Sequence, residues 1–370
     1  MPDPGTDTPR FGRQHFLLSS AARDMPLKRV FGMKEKTAYN WFRRARWPDS
    51  DGKVPTCPHC GCDGAYELGK FPERVNRIFR CKQYECRGEF TVTSGTILAD
   101  RKLPFRTLLA ALVLSAHSVK GKAALEMSRE LGISYKAAFV LCTKLREAIA
   151  AERETLRLSG EVEADVVYIG GHVRPANKVE DRVDRRRPEN QNRERPRQAV
   201  MGIRERDGRT VMRVVTGETE DVALAMARRY VARGTIIAAD QASAYRILQV
   251  RHELRVNNHS EVYSASREDT TNHVESMFSR IRRSEAGIHH HISGSYLDLY
   301  AADLAFREDM RRMSMKILTG MFGVLALRHP HSNLVRGYWQ RHQLGRETEM
   351  LGLARDLQRE AMARGRTWPG

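Results

Sequence analysis

The chain has 370 residues and a formal net charge of +18, with 41% apolar and 29% charged residues. These values fit a globular protein of two or three domains and argue against a disordered chain. The charge favours a polyanionic partner, with nucleic acid ahead of anionic membrane. The longest apolar runs, 108–116 and 321–327, are much shorter than the roughly 20 residues that cross a bilayer, and the N-terminus shows no secretory signal. We therefore expect a cytoplasmic protein without a membrane span.

Two short-spaced cysteine pairs follow a flexible tail and a basic helical region, which together occupy residues 1–50. The pairs are Cys57 and Cys60 in "CPHC" and Cys81 and Cys86 in "CKQYEC". Four thiolates on two turns are the ligand set of structural Zn²⁺, so residues 51–98 are predicted to form a zinc ribbon. His59 and Cys62 lie close enough to compete as ligands, and we interpret both as bystanders. The alternative is four buried free thiols.

Residues 99–158 have the periodicity of helices with one break, at "ELGIS". Gly132 can end the first helix, and Ser134 can cap the next. This outline is typical of a helix-turn-helix, whose second helix would enter a DNA major groove with Lys136 and Lys144 on its outer side. A helical hairpin that only packs is the alternative, because the signature has little sequence content.

From residue 159 the pattern changes to short apolar runs in the order β-β-β-α-β, followed by helices, which predicts an α/β domain over 159–315. Asp207 and Gly208 suit a hairpin between the second and third strands, and the helix before "GTIIAAD" lets that last strand pair in parallel. An Arg-rich insertion at 172–197 is predicted to be a mobile loop. Residues 316–370 are predicted to form a C-terminal helical extension.

Three acidic residues of this domain can be brought together. Asp165 lies in the first strand, Asp240 ends an apolar strand, and Glu275 lies on the helix "TTNHVESMFSRIRR". Each has an ordinary explanation by itself, as a strand-edge charge, a helix cap or a solvated residue. Together, two carboxylates on adjacent strands and a third from a facing helix indicate a Mg²⁺ site for phosphodiester chemistry.

The same helix carries a polar stripe, because Asn272, Glu275, Ser279 and Arg282 are spaced by three, four and three residues. The stripe is either a solvated surface or one wall of an active site. In the second case Arg282, two turns after Glu275, would bind a DNA phosphate, with Arg283 beside it.

In combination these segments resemble bacterial insertion-sequence transposases of the DDE type, in the ISXO-like branch with an N-terminal zinc ribbon. The resemblance covers roughly residues 40 to 315 and rests on several stretches, among them "RWPDSDGKVPTCPHCG", "VEADVVYIGG", "AADQASAY", "RVNNHSEVYS", "TTNHVESMFSRIRR" and "GIHHHIS". It implies an RNase H-like catalytic domain, dependence on Mg²⁺ or Mn²⁺, and strand cleavage and transfer at terminal inverted repeats. We accordingly expect a nucleoid-associated protein that works as a homo-oligomer on DNA.

The resemblance also assigns residues by position. Asp165 matches the first catalytic acid and Asp240 the second, while the third falls in "TNHVES", at either Asn272 or Glu275. Spacing and charge favour Glu275, with Asn272 as a close contact. His259 is expected to contact DNA or make a structural hydrogen bond rather than bind metal.

This sequence departs from the family pattern in three places. Val166 stands where an acidic residue is common, Arg282 replaces a more usual lysine, and the insertion looks long. None of these changes removes a triad acid.

Two other functions remain possible from the sequence. One is a DNA-binding regulator, built from the zinc ribbon and the helix-turn-helix, with an inert α/β domain. The other is a related nuclease that shares the metal chemistry but not the joining step. Separation of the three carboxylates by more than about 9 Å would favour the regulator, because metal-bridging carboxylates must converge on ions about 4 Å apart.

Overall fold

The computed structural model describes residues 16–170, 197–206, 208–240, 243–257, 272–332 and 334–335. Residues 1–15, the predicted insertion except Arg197, His259, and the end of the C-terminal extension lie outside these ranges.

Helices and strands follow one another in runs along the described ranges. The helices are α1 (Leu27–Phe31), α2 (Glu35–Arg46), α3 (Phe105–His117), α4 (Ala124–Leu131), α5 (Tyr135–Arg153), α6 (Glu220–Tyr230), α7 (Asn272–Ser284), α8 (Gly294–Asp309) and α9 (Met315–Arg328). The strands are β1 (Ala65–Glu67), β2 (Phe79–Cys81), β3 (Glu89–Phe90), β4 (Glu161–Ile169), β5 (Gln198–Glu205), β6 (Thr210–Val215), β7 (Ile236–Asp240) and β8 (Glu253–Asn257).

A helical unit surrounds α3, whose sequence "FRTLLAALVLSAH" is apolar on nearly every side and is therefore buried on every side. Helices α1, α2, α4 and α9 pack around it. Because α9 belongs to the C-terminal extension, the chain returns to its N-terminal core after the α/β domain. The turn between α4 and α5 has the predicted chemistry, since Gly132 has a φ of 63° and Ser134 accepts a hydrogen bond from the Ala137 N–H.

The α/β domain contains a mixed five-stranded sheet with the order β6-β5-β4-β7-β8. Strand β5 is antiparallel to both β4 and β6, while β7 is parallel to β4 and β8 is parallel to β7. Helix α6 covers one face, and α7 and α8 cover the other. This arrangement confirms the predicted α/β class, with a zinc ribbon and helices before a mixed sheet. It adds β8, a short edge strand that the sequence pattern did not reveal.

Buried ion pairs tie α8 to its neighbours. Asp298 of α8 accepts hydrogen bonds from the Arg213 Nε and the Val214 N–H of β6, and Asp303 pairs with Arg146 of α5. Other acid and arginine pairs on this helix are Asp309 with Arg153 and Glu308 with Arg204, Arg280 and Arg311. Since a buried charge is tolerated when it is paired and hydrogen-bonded, α8 holds the helical unit against the sheet.

Candidate active site

Asp165 lies in the middle of β4, on the face of the sheet that α7 covers. Its neighbours Val167 and Ile169 pack in the same cluster as the apolar side of α7, while Ala164 packs on the α6 side. Because side chains alternate along a strand, Asp165 shares the face of Val167 and points toward α7.

Asp240 takes the equivalent position on the adjacent strand. Ala164 of β4 is the register partner of Ala239 of β7, and the strands are parallel, so the next residues, Asp165 and Asp240, are neighbours. Ala239 packs on the α6 side, which places Asp240 on the α7 side by the same alternation. Strands in a sheet lie about 5 Å apart, so the two carboxylates occupy one small area of this face.

Helix α7 carries Glu275, the predicted third acid. Its apolar residues, Val274, Met277, Phe278 and Ile281, are buried against the sheet, whereas Asn272, Glu275 and the arginines at its end are exposed. The predicted polar stripe is therefore the outer and edge surface of this helix. The carboxylates of Glu275 and Asp240 both act on Asp165, whose pKa they raise.

Gly202 permits the close approach of α7 to the sheet. It is the register partner of Asp165 on β5, and a Cβ added there would lie 2.9 Å from Phe278 Cε1 and 3.0 Å from Val274 Cγ2. Such distances are shorter than van der Waals contact, so a larger residue would push α7 away from the strand that carries Asp165.

Gly202→Ala is expected to lower the free energy of unfolding by about 1–3 kcal/mol, because overpacking displaces α7. It should also weaken divalent-metal binding. Thermal unfolding and Mn²⁺ titration measure the two effects. The matched control is Gly320→Ala in α9, where an added Cβ meets no atom within 4 Å and should be neutral or slightly stabilising. A Gly202→Ala protein with unchanged stability and metal affinity would contradict this packing argument.

The environment of Asp165 disfavours its charged form. Burial raises the pKa of Asp165 to about 6, a hydrogen bond from the Val166 N–H opposes the rise, and the carboxylates of Glu218, Glu275 and Asp240 add to it. Like-charged groups gathered around a half-buried carboxylate are the donor set of a hard divalent cation. The residues present therefore fit Mg²⁺ or Mn²⁺ in their chemistry.

Glu218 is a member of this acidic group that the sequence did not reveal. It lies between β6 and α6, and it contributes to the raised pKa of Asp165. Burial and, after it, the same carboxylate raise the pKa of Tyr245, whose hydroxyl makes no hydrogen bond of normal geometry. One signal could have found Glu218: β6 and β4 run in the same direction, so an acid just after β6 lies at the same end of the sheet.

The four predicted zinc ligands converge. Their sulfur atoms all lie within 4.8 Å of one another, with Sγ separations of 3.8 Å for Cys57 to Cys86 and 3.6 Å for Cys60 to Cys81. Four thiolates 2.3 Å from a tetrahedral ion lie about 3.8 Å apart, so the cluster already has the dimensions of a Zn²⁺ site. Within the described ranges these cysteines are the group that meets metal-site geometry, whereas the carboxylates would have to draw together around a cation.

Two family profiles match the chain. Residues 157–309 match the ISXO2-like transposase domain, and residues 33–89 match the transposase zinc-ribbon domain. The chain belongs to the ISXO2-like transposases. The first match contains Asp165, Asp240 and Glu275, and the second contains the four cysteines. A search of curated proteins found no match.

The transposase thus carries a zinc ribbon and, as its family implies, binds DNA. Cys62 lies outside the four-cysteine group, and its sulfur accepts a hydrogen bond from the Gly64 N–H. His59 lies against Gly88, where an added Cβ would come 2.6 Å from the His59 ring. Cys142 is buried in the helical core. None of the helices in the described ranges is long and apolar enough to cross a membrane.

Cys60→Ser is expected to remove bound zinc and to unfold the ribbon, because the metal holds together a segment with little core of its own. Cys62→Ser, which changes a cysteine of the same turn outside the cluster, should retain one zinc ion per chain. Elemental analysis of the purified variants decides between them. Equal zinc loss in both variants would contradict the assignment of the ligands.

The predicted DNA contacts lie in different settings. Arg282 and Arg283 are exposed on the last turn of α7, and Arg283 donates a hydrogen bond to Ser279 Oγ at 2.8 Å. Lys136 is exposed on the first turn of α5. Lys144 is half-buried near Asp100 and Glu147, and burial lowers its pKa. Of the two lysines, Lys136 is therefore the more accessible.

Proposed function

We propose that this transposase is a DDE-type enzyme that binds the terminal inverted repeats of an insertion sequence, cleaves DNA at the element ends and joins the 3′-hydroxyl to target DNA. The observation that carries the proposal is the register of β4 and β7. It sets Asp165 and Asp240 side by side on the face that α7 covers, and Glu275 is one of the carboxylates that raise the pKa of Asp165. A regulator with an inert α/β domain has no need of this arrangement.

In the proposed mechanism each acid comes from a different element. Asp165 and Asp240 present carboxylate oxygens from the sheet, and Glu275 presents one from α7. Mg²⁺ or Mn²⁺ held there would activate a water or a 3′-hydroxyl and stabilise the leaving oxygen of the phosphodiester. Asn272 lies nearly one helical turn before Glu275 on the same exposed side, where its amide can hydrogen-bond the DNA backbone. We assign the third acid to Glu275 and the neighbouring contact to Asn272.

The DNA is proposed to run along α7 toward its C-terminal end. Seven residues of helix place Arg282 about 10 Å from Glu275, a distance suited to a phosphate beyond the scissile one. Arg282 and Arg283 would bind such phosphates, while the zinc ribbon and the first turn of α5 would contact the inverted repeat. We propose that a homo-oligomer assembles on the two element ends and acts within the bacterial nucleoid.

The test is an assay of cleavage and strand transfer on DNA that carries the element's own ends, with Mg²⁺ or Mn²⁺. Cleaved ends and joined products together support the transposase mechanism. Cleavage without joining would instead indicate a nuclease. Specific binding without either product under any divalent-metal condition would favour the regulator.

A further inference from the structure

Glu163 of β4 is a fully buried carboxylate, 0% exposed, two residues before Asp165 on the same strand face. We propose that Glu163 is a positioning residue that fixes the first turn of α7 to β4 and thereby sets Glu275 and Asn272 opposite Asp165. This inference rests on the proposed function, because it assigns Glu163 a role in assembling that metal site.

Glu163 bonds directly to the beginning of α7. Its Oε2 accepts hydrogen bonds from the His273 N–H at 2.8 Å and the Val274 N–H at 3.0 Å, and its Oε1 lies 2.8 Å from His273 Nδ1. The first N–H groups of a helix have no partner within the helix, so a capping acceptor is needed. Here the acceptor comes from the sheet, 110 residues earlier in the chain.

Electrostatics favours the same contact. A carboxylate at a helix N-terminus interacts favourably with the helix dipole, and Arg206 Nε lies 3.7 Å from Glu163 Oε1. A buried charge is expensive unless it is hydrogen-bonded and paired, and Glu163 meets both conditions. Because both of its oxygens already have partners and are fully buried, Glu163 is not placed to bind the metal itself.

The contact supplies a constraint that the apolar side of α7 does not. Burial of Val274 and Phe278 holds the helix on the sheet, but hydrophobic contact is non-directional and allows sliding and rotation. Hydrogen bonds prefer a narrow range of distance and angle, so Glu163 fixes the rotation and axial position of the first turn. Glu275 is the residue after Val274, and a displacement of about 1 Å in a catalytic group costs about 100-fold in rate.

The test compares three substitutions of Glu163 by Mn²⁺ titration of the protein, followed by electron paramagnetic resonance, and by DNA cleavage. Glu163→Gln keeps an oxygen that can accept both N–H groups, whereas Glu163→Asp keeps the charge but is one methylene too short. If Glu163 positions α7, the Mn²⁺ concentration at half-saturation should stay within about threefold of wild type in Glu163→Gln. The same concentration should rise by about tenfold or more in Glu163→Asp and Glu163→Ala. A role of charge alone predicts the reverse order for Gln and Asp, and that order would overturn the proposal.

Hydrogen exchange of the metal-free protein gives a readout independent of activity. Glu163→Ala should lose protection at the amides of 273–277 while the later turns of α7 stay protected. The matched control is Glu35→Ala, which removes another carboxylate that caps a helix from outside it, by accepting hydrogen bonds from the Phe105 and Arg106 N–H groups of α3, and should leave those amides and the Mn²⁺ half-saturation unchanged. Unchanged protection in Glu163→Asp and Glu163→Ala would overturn the proposal.

The proposed function and the role of Glu163 can be disproved independently of each other. If the wild-type protein neither binds Mn²⁺ through Asp165 nor cleaves DNA, the proposed function is wrong, and exchange at 273–277 still decides whether Glu163 anchors α7. If the wild type is active and Glu163→Ala matches Glu35→Ala in metal binding, cleavage and exchange at 273–277, only the role of Glu163 is wrong.

Discussion

Asp240→Asn is expected to lower the rate of DNA cleavage and strand transfer by at least about 1,000-fold, which corresponds to about 4 kcal/mol of transition-state stabilisation. The amide is nearly isosteric but neutral, so it withdraws one anionic ligand from the metal site and leaves the end of β7 in place. Binding to the inverted repeat should persist, because the zinc ribbon and α5 are distant in sequence from the change. Single-turnover cleavage and a DNA-binding assay on the same preparation measure both effects.

The matched control for this variant is Asp49→Asn, which makes the same chemical change at an exposed residue before the four cysteines. It should retain wild-type cleavage. A cleavage rate of Asp240→Asn within about tenfold of wild type would contradict the mechanism, since loss of a metal ligand should lower the rate much further.

Asp165→Asn is expected to abolish catalysis and, in the absence of metal, to stabilise the protein at neutral pH. The folded-state pKa of Asp165, about 6, lies above its ordinary value of 3.8. Ionisation of Asp165 therefore lowers the free energy of unfolding, by roughly 3 kcal/mol at a pH above both pKa values. Removal of the charge relieves this opposition, as is common where a functional site holds like charges together.

The pH dependence follows from the same shift. Below about pH 4 the carboxyl is protonated in both the folded and the unfolded states, and Asp165→Asn should match wild type. Between pH 4 and 6 the unfolded state ionises first, so the stability of the wild type falls with rising pH relative to the variant. Above pH 6 the difference in free energy of unfolding between Asp165→Asn and wild type is constant.

Thermal unfolding in EDTA from pH 4 to 8 measures this difference. Added Mn²⁺ should raise the melting temperature of wild type far more than that of Asp165→Asn, and this gain should shrink below pH 6 as protons compete with the metal. A variant that is less stable than wild type at pH 8 without metal would show that burial and the neighbouring carboxylates do not oppose ionisation of Asp165.

Sequence patterns predicted those parts of the molecule in which a local pattern has one main physical explanation. The cysteine spacing predicted the zinc cluster because four thiolates have few other reasons to converge. The apolar run before Asp240 predicted a buried parallel strand, and β7 pairs with β4 in that way. The burial of Val274 and Ile281 on α7 follows from helical periodicity.

Features that depend on tertiary contacts were not predictable in the same way. Glu163 looks like any polar residue of an alternating strand, and its role depends on a helix that begins 109 residues later. Glu218 precedes a helix, where acids are common for local reasons. Strand β8 is short and polar at the sheet edge, so its pattern is weak. Lys144 was predicted on an exposed face, but the packing of α5 within the helical core half-buries it.

The central claim is that Asp165, Asp240 and Glu275 together hold divalent metal. Anomalous scattering from Mn²⁺ in crystals of the protein bound to its element ends tests it most directly. Manganese peaks within about 2.5 Å of carboxylate oxygens of all three residues are the predicted result. Manganese bound to the DNA or elsewhere on the protein, with no peak between β4, β7 and α7 in catalytically active crystals, would contradict the claim.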